Sequence, residues 1–156
     1  MTLTPQTIKD AICDVLRSRF PQDPIYTDIV PMKFERPSTL VELQGIDMDT
    51  QSCGAHSVLL TWRFRLTAFV KTDAAHQSHF PELDQRGMTL LAAFATGYLK
   101  VADRAPSITN TKLDTTLNDC VRLDLALSIT VDRDALLLPE EPLPVMKDLH
   151  TRFTDK

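Results

Sequence analysis

The stretch from Ser57 to Val70 reads SVLLTWRFRLTAFV and alternates apolar and polar side chains along its length. A second stretch, from Val121 to Val131, reads VRLDLALSITV and alternates in the same way. A period of two over this length is typical of long antiparallel strands with one face on a core and the other facing water. These two stretches therefore predict the centre of an antiparallel sheet.

The polar face of the first stretch carries two arginines, Arg63 and Arg65. A contact with another subunit is one interpretation of this pair. The other is a solubilising strand face, on which the arginines lie opposite acidic cross-strand neighbours such as Asp124. Arg63 and Arg65 are therefore candidate interface residues.

Two helix-period stretches accompany these strands. Thr4 before Pro5 predicts a helix start, because the threonine hydroxyl can accept from a free backbone N–H and proline at the first helical position loses no hydrogen bond. This helix ends near Arg19, with Lys9 and Asp10 expected on its outer face. Its apolar stripe comprises Ile8, Ala11, Ile12, Val15 and Leu16.

A second helix is predicted to begin at Pro81. Gly87 lies in its interior, where glycine costs about 1 kcal/mol relative to alanine, so we expect close packing against the sheet at this point. The apolar stripe of the helix comprises Leu83, Gly87, Leu90, Leu91, Phe94, Ala95 and Tyr98.

Three shorter stretches complete the expected elements: Ile25 to Val30, Thr39 to Asp47 and Thr109 to Leu117. The first two join the long strand from Ser57 in a meander. The predicted fold is therefore α+β, with an antiparallel sheet of about four to six strands covered by two main helices. The element order is α-β-β-β-α-β-β.

Length and composition predict one such domain, over residues 1–132. The chain has 156 residues, of which 43% are hydrophobic, which is enough to bury one core. Residues 133–156 change character, because three prolines fall within six residues at Pro139, Pro142 and Pro144 and prevent a continuous helix or central strand.

This proline-rich C-terminal arm has a short amphipathic end, and either a fold back onto its own domain or docking on a neighbouring subunit would anchor it. Its apolar side chains are candidate interface residues: Leu136, Leu137, Leu138, Leu143, Met146, Leu149 and Phe153.

The sequence shows no catalytic, cofactor-binding or metal-binding motif. His76 and His79 have a spacing that two zinc ligands can have, but no further ligand stands at a matching distance in the sequence. Cys53 and His56 are the residue types of a nucleophile and its base, yet a flexible connection does not fix a hydrogen bond between them. The four glycines are isolated, so no phosphate-binding loop is present.

Charge and hydropathy argue against two classes of partner, nucleic acids and membranes. The net charge is −4 without a basic block, so nucleic acid is a poor partner. No apolar stretch reaches a membrane-spanning length, and no secretion signal is visible. An odd set of three widely spaced cysteines indicates free thiols in a reducing cytoplasm.

The order of these elements resembles the tail terminator, or tail completion, proteins of long-tailed bacteriophages and related prophage particles. The resemblance spans the chain to about Val131. The segments that carry it are TPQTIKDAICDVLRSRFPQDPIYTDIV, RPSTLVELQG, SVLLTWRFRLTAFVKTD with its polar loop into FPELDQRGMTLLAAFATGYL, and CVRLDLALSITV.

This resemblance implies a structural virion protein without covalent chemistry. It implies a ring of identical subunits, usually a hexamer, that caps the tail tube protein and receives the head through the head–tail connector. The protein would assemble in the host cytoplasm and remain in the virion tail. Two alternatives are another ring-forming tail or head–tail connector component, and a small-ligand-binding or catalytic α+β domain that uses the loop from Lys71 to Phe80.

Overall fold

The computed structural model describes residues 3–115 and 117–136. The predicted α+β class and element order are confirmed, with one short helix added at the end. The elements are α1 (Pro5–Arg19), β1 (Ile25–Thr27), β2 (Ser38–Asp49), β3 (Ser57–Phe69), α2 (Phe80–Ala93), β4 (Ser107–Asp114), β5 (Cys120–Asp132) and α3 (Arg133–Leu136).

The five strands form one sheet in the order β1-β2-β3-β5-β4. The four longer strands pair antiparallel with their neighbours. The prediction that the whole sheet is antiparallel was wrong at its edge, because β1 pairs parallel to β2, with Ile25 opposite Thr39. Parallel neighbours need a connection that brings the chain back to the end at which the first strand began, whereas antiparallel neighbours can be joined by a tight turn. The long loop between β1 and β2 provides this connection.

The helix-facing side of the sheet, called the inner face below, carries the core. Trp62, Phe64, Leu123 and Leu125 are all buried there, as the alternation predicted. Helices α1 and α2 pack on this same face, and their own buried side chains include Ile8, Ile12, Leu16, Leu83 and Leu90. The opposite, outer face carries the polar half of the alternation.

Helix α1 begins as the sequence predicts, but one of its polar residues is placed differently. The Thr4 hydroxyl accepts from the Thr7 N–H at 3.2 Å, and the Thr7 hydroxyl accepts from the Thr4 N–H at 3.0 Å. Lys9, expected on the outer face of the helix, is buried, and its Nζ donates to both carboxylate oxygens of Asp28 at 2.8 and 2.6 Å. The ion pair allows the lysine to lie inside, because an opposite charge meets its ammonium group there.

Helix α2 packs closely on the sheet at Gly87, as predicted. A Cβ at this position would lie 3.1 Å from Leu113 Cδ2, so any larger residue would require the Leu113 side chain to move by a few tenths of an ångström. The predicted stripe extended too far, since the helix ends at Ala93 and leaves Tyr98 exposed after it. The strand expected to reach Leu117 ends instead at Asp114.

Candidate interaction surfaces

The outer face of the sheet contains a row of alternating charge. Glu42 of β2 lies opposite Arg65 of β3, Arg65 opposite Asp124 of β5, and Asp124 opposite Lys112 of β4. Arg65 Nε donates to Asp124 Oδ1 at 2.9 Å, and this hydrogen bond raises the pKa of the guanidinium above its already high value. Each charge in the row therefore has an opposite charge beside it.

Arg63 is also paired within its own sheet. Its Nε donates to Asp47 Oδ2 at 2.6 Å, and both side chains are exposed. Beside this pair, the Thr61 and Ser128 hydroxyls lie 2.8 Å apart across β3 and β5. The structure thus gives both candidate arginines an intramolecular acid, in agreement with the solubilising interpretation, while a contact of these residues with another subunit stays a prediction.

The two edges of the sheet are open over much of their length. On one side, β1 pairs only with Thr39 to Val41 of β2, so within the described residues no strand pairs with the outer edge of β2 from Glu42 to Asp49. On the other side, the Ile108 N–H donates to the Gly97 carbonyl at 2.8 Å. After Ile108, no strand in the described part of the chain pairs with the outer edge of β4.

Part of the inner face lies beyond the cover of the helices. Ile46 and Met48 of β2 are opposite the core residues Trp62 and Leu60, yet they remain 48% and 58% exposed. Ile46 follows a register shift between Leu43 and Gly45. Such a bulge bends and twists the strand. Sequence alternation alone did not single out Ile46 and Met48, because it does not show where helical cover ends.

A cavity of about 510 Å³ lies at this same end of the inner face. Leu60 and Ile129 contribute to its sheet side, and Leu136 of α3 contributes to its rim. Leu136 is exposed and is the last residue that the structure describes. The other arm residues predicted as interface, Leu137, Leu138, Leu143, Met146, Leu149 and Phe153, lie outside the described residues.

The histidines and the cysteine that the sequence offered as metal ligands or as a nucleophile and base do not form a site in the structure. His76 and His79 are exposed, and within the described residues no three His, Cys, Asp or Glu side chains are grouped so that they could hold a metal ion. Cys53 Sγ lies 3.9 Å from Thr130 Oγ1, while the His56 carbonyl accepts from the Arg133 N–H. Neither contact gives Cys53 a base.

The two buried thiols are poor nucleophiles. Burial raises the pKa of the Cys120 thiol to about 11, with a further contribution from Asp119. Burial likewise raises the pKa of Cys13. A thiol with a raised pKa is almost wholly protonated at neutral pH, whereas the thiolate is the reactive form.

A buried ion pair, which no local sequence pattern indicates, joins α2 to the turn after α1. Arg86 Nη1 donates to Asp23 Oδ2 at 2.7 Å, and Arg86 Nη2 donates to Thr39 Oγ1 at 3.3 Å. The Arg86 guanidinium carbon also lies 4.3 Å from the centre of the Phe20 ring. This arginine contacts the C-cap of α1 at Phe20, the following turn at Asp23 and β2 at Thr39, so its position indicates a structural role.

The described surface thus combines paired outer charges, open sheet edges and uncovered apolar side chains. Comparison with known proteins gives the class: a structural protein of phage tail assembly. A family model described as "Phage tail terminator protein" matches residues 7–141. The chain belongs to this family, and the resemblance drawn from its element order is confirmed.

Other comparisons add little. No curated protein matches the chain. One solved protein structure aligns with 89% of this chain and 100% of its own length, with 13% identical residues and a TM-score of 0.46. A likeness at that level supports no argument about function. In the described part of the chain, no helix is long and apolar enough to cross a membrane.

Proposed function

We propose that this protein forms a ring of identical subunits, a hexamer, that closes the end of the phage tail tube and joins the tube to the head. Its partners are then a second copy of itself, the tail tube protein and the head–tail connector. In this proposal it acts as a structural component of the virion tail, assembled in the host cytoplasm, and catalyses no reaction.

The observation that carries this proposal is the pair of open edges on opposite sides of one sheet. The free part of β2 lies at one side and β4 at the other, and the two edges differ in sequence. A ring needs a heterologous interface, in which one patch of a subunit meets a different patch of the next. Two unlike edges at opposite ends of a sheet meet this requirement.

The outer face supports the same proposal from its chemistry. Arg63 and Arg65 are held by Asp47 and Asp124 of the same copy, so both arginine charges on this polar face are paired. A paired, polar face suits a surface that contacts water or a polar partner in the assembled particle. Arg63 and Arg65 remain our candidates for contacts at this face.

The C-terminal arm is proposed as a second contact. Leu136, the last arm residue that the structure describes, lines the cavity at this end of the inner face. The seven apolar arm residues named above are more than a solvated tail carries, and exposed apolar clusters usually mark an interaction surface.

The test combines light scattering with negative-stain electron microscopy. We expect a monomer or weak oligomer that closes into a ring at high protein concentration or on purified tail tubes, and we expect the ring to sit at tube ends and stop their growth. A tube protein would instead continue into filaments. A protein that stays monomeric at every concentration and never binds a tube end would refute the proposal.

A further inference from the structure

We propose that the ring closes by edge-to-edge pairing of β4 of one copy with the free part of β2, Glu42 to Asp49, of the next. This inference rests on the proposed ring and names its interface. Four observations support it: strand direction, the orientation of main-chain groups, the side chains on each face and the limit that β1 sets.

Strand direction favours the pairing. Neighbours alternate in direction across β2, β3, β5 and β4, so β2 and β4 run in opposite directions within one copy. When β4 of one copy lies beside β2 of the next, the two strands are therefore antiparallel. The sheet then continues from copy to copy without a change in its hydrogen-bonding pattern.

The main-chain groups at both edges come from residues of the same face. At the β2 edge, the Thr39 N–H donates to the Pro24 carbonyl and the Val41 carbonyl accepts from the Asp28 N–H. At the β4 edge, the Ile108 N–H donates to the Gly97 carbonyl. The strand residues in these hydrogen bonds, Thr39, Val41 and Ile108, all belong to the inner face. Their cross-strand partners are the buried residues Ala68, Leu66 and Leu127.

Side-chain face and hydrogen-bonding direction alternate together along a strand. Ile46 and Met48 of β2, and Thr111 and Leu113 of β4, are also inner-face residues and therefore direct their N–H and C=O groups outward. Inner-face residues of one edge can thus hydrogen-bond to inner-face residues of the other, as an antiparallel pair requires.

Side chains select one register. With Lys112 opposite Asp47 of the next copy, Leu113 lies opposite Ile46 and Thr111 opposite Met48. The inner face then covers the exposed Ile46 with an apolar neighbour. On the outer face, Asp47 comes to lie between Arg63 of its own copy and Lys112 of the other, so the alternation of charge continues across the junction.

Other registers are less favourable. With Lys112 opposite Gly45, the next position along the outer face, the lysine meets no acid and Leu113 meets Gln44 at the bulge. Placing Lys112 opposite Glu42 would bring Leu113 and Asp114 against Val41 and Leu40, where β1 already pairs. Placing Lys112 opposite Asp49 would set Asp114 against Asp47, and like charges directly opposite each other destabilise a sheet. The register with Lys112 opposite Asp47 avoids these conflicts.

A disulfide tests this register directly. In the proposed pairing, residues 47 and 112 form a pair without mutual hydrogen bonds, whose Cα atoms are about 4.5 Å apart and within the range of a disulfide. Within one copy they lie on strands three spacings apart, so at least about 14 Å separates them, which a disulfide cannot span. A link between them therefore reports a contact between copies.

We would prepare Asp47→Cys/Lys112→Cys in a Cys53→Ser background, because Cys13 and Cys120 are buried and Cys53 is more accessible. Oxidation under ring-forming conditions should give a ladder of disulfide-linked oligomers on a non-reducing gel. The matched control is Asp49→Cys/Lys112→Cys, which moves one thiol two residues along the same face and should link far less, because diagonal neighbours are about 7–8 Å apart.

A charge exchange provides an independent measurement. Lys112→Glu should raise the midpoint concentration of ring formation about fivefold, the effect of one unfavourable cross-strand pair near 1 kcal/mol. Asp47→Lys combined with Lys112→Glu should restore it. Lys112→Glu also sets an acid opposite Asp124 within its own copy, so urea unfolding of the monomer should be measured beside the midpoint, and circular dichroism should show an unchanged fold.

The outcomes separate this interface from the proposed function. A ring of the expected mass that caps tubes, but shows no link through positions 47 and 112, would refute the edge pairing and leave the terminator function standing. Equal linking of the control would refute the register. A wild-type protein that never associates, even on tubes, would refute both.

Discussion

Replacing Asp23 by alanine should destabilise the fold far more than replacing Asp47 by alanine, although both carboxylates bind an arginine at nearly the same distance. Asp23 Oδ2 lies 2.7 Å from Arg86 Nη1, and Asp47 Oδ2 lies 2.6 Å from Arg63 Nε. The side chains of Asp23 and Arg86 are 16% and 9% exposed, whereas those of Asp47 and Arg63 are 61% and 63% exposed. Burial is therefore the main difference between the two pairs.

The expected magnitudes follow from this difference. Without Asp23, the Arg86 guanidinium would stay buried with only the Thr39 hydroxyl and the Phe20 ring as partners. Removing one partner of a buried ion pair costs about 3–5 kcal/mol, because the remaining charge is desolvated without compensation. Removing one partner of an exposed pair costs about 0–1 kcal/mol, since water solvates the remaining charge.

Urea unfolding followed by circular dichroism measures both free energies of unfolding. The variant Asp23→Ala/Arg86→Met should recover much of the loss, because it removes the uncompensated charge and keeps an apolar side chain over Phe20. Equal effects of Asp23→Ala and Asp47→Ala would refute the reasoning. So would a double variant that is less stable than Asp23→Ala alone.

Three further expectations concern the core, the histidines and the arm. Leu125→Asp should abolish cooperative unfolding at neutral pH, since it loses a buried leucine and adds a buried charge. The control Ala126→Asp, on the outer face opposite Arg63, should melt within a few degrees of wild type. Equal melting of the two variants would mean that the strand faces are inverted. Changing His76 and His79 to alanine should shift the free energy of unfolding by no more than about 0.5 kcal/mol, and zinc bound to the purified protein but lost in this variant would contradict that. Truncation after position 134 should leave the melting curve intact and lower the oligomer mass or tube capping; loss of the fold would mean that the arm packs on its own core.

Hydrophobic periodicity predicted the parts of the fold that depend on local pattern. The alternation in β3 and β5 gave both the strands and their buried face, because side chains of a strand point to opposite sides in turn. Thr4 and Pro5 predicted the start of α1 from local hydrogen bonding. Gly87 predicted close packing, since an interior glycine in a helix otherwise only costs stability.

The missed features depend on contacts between residues far apart in the sequence. Arg86 and Asp23 are 63 residues apart, and no local pattern links them. Lys9 fits the polar side of an amphipathic helix, and only the position of Asp28 shows why it lies inside. The open edges also depend on strand order, which periodicity does not contain.

The Lys9–Asp28 pair also helps to explain why the candidate interface is open. The sequence predicted a strand from Ile25 to Val30, which would have paired with more of β2. The strand ends at Thr27 instead, because Asp28 adopts a positive φ of 65° and directs its carboxylate to Lys9. Its N–H makes the last contact, with the Val41 carbonyl. The chain then leaves the sheet, and no described strand pairs with the outer edge of β2 beyond Val41.

Hydrogen exchange tests this account one amide at a time. The Ile46 and Met48 N–H groups point to the open edge, so they should exchange rapidly in the monomer, while the Asp47 N–H points to β3 and should exchange slowly. On ring formation Ile46 and Met48 should become protected, because the neighbouring β4 then accepts their hydrogen bonds. Slow exchange of both in a verified monomer would mean that another part of the same chain already covers this edge.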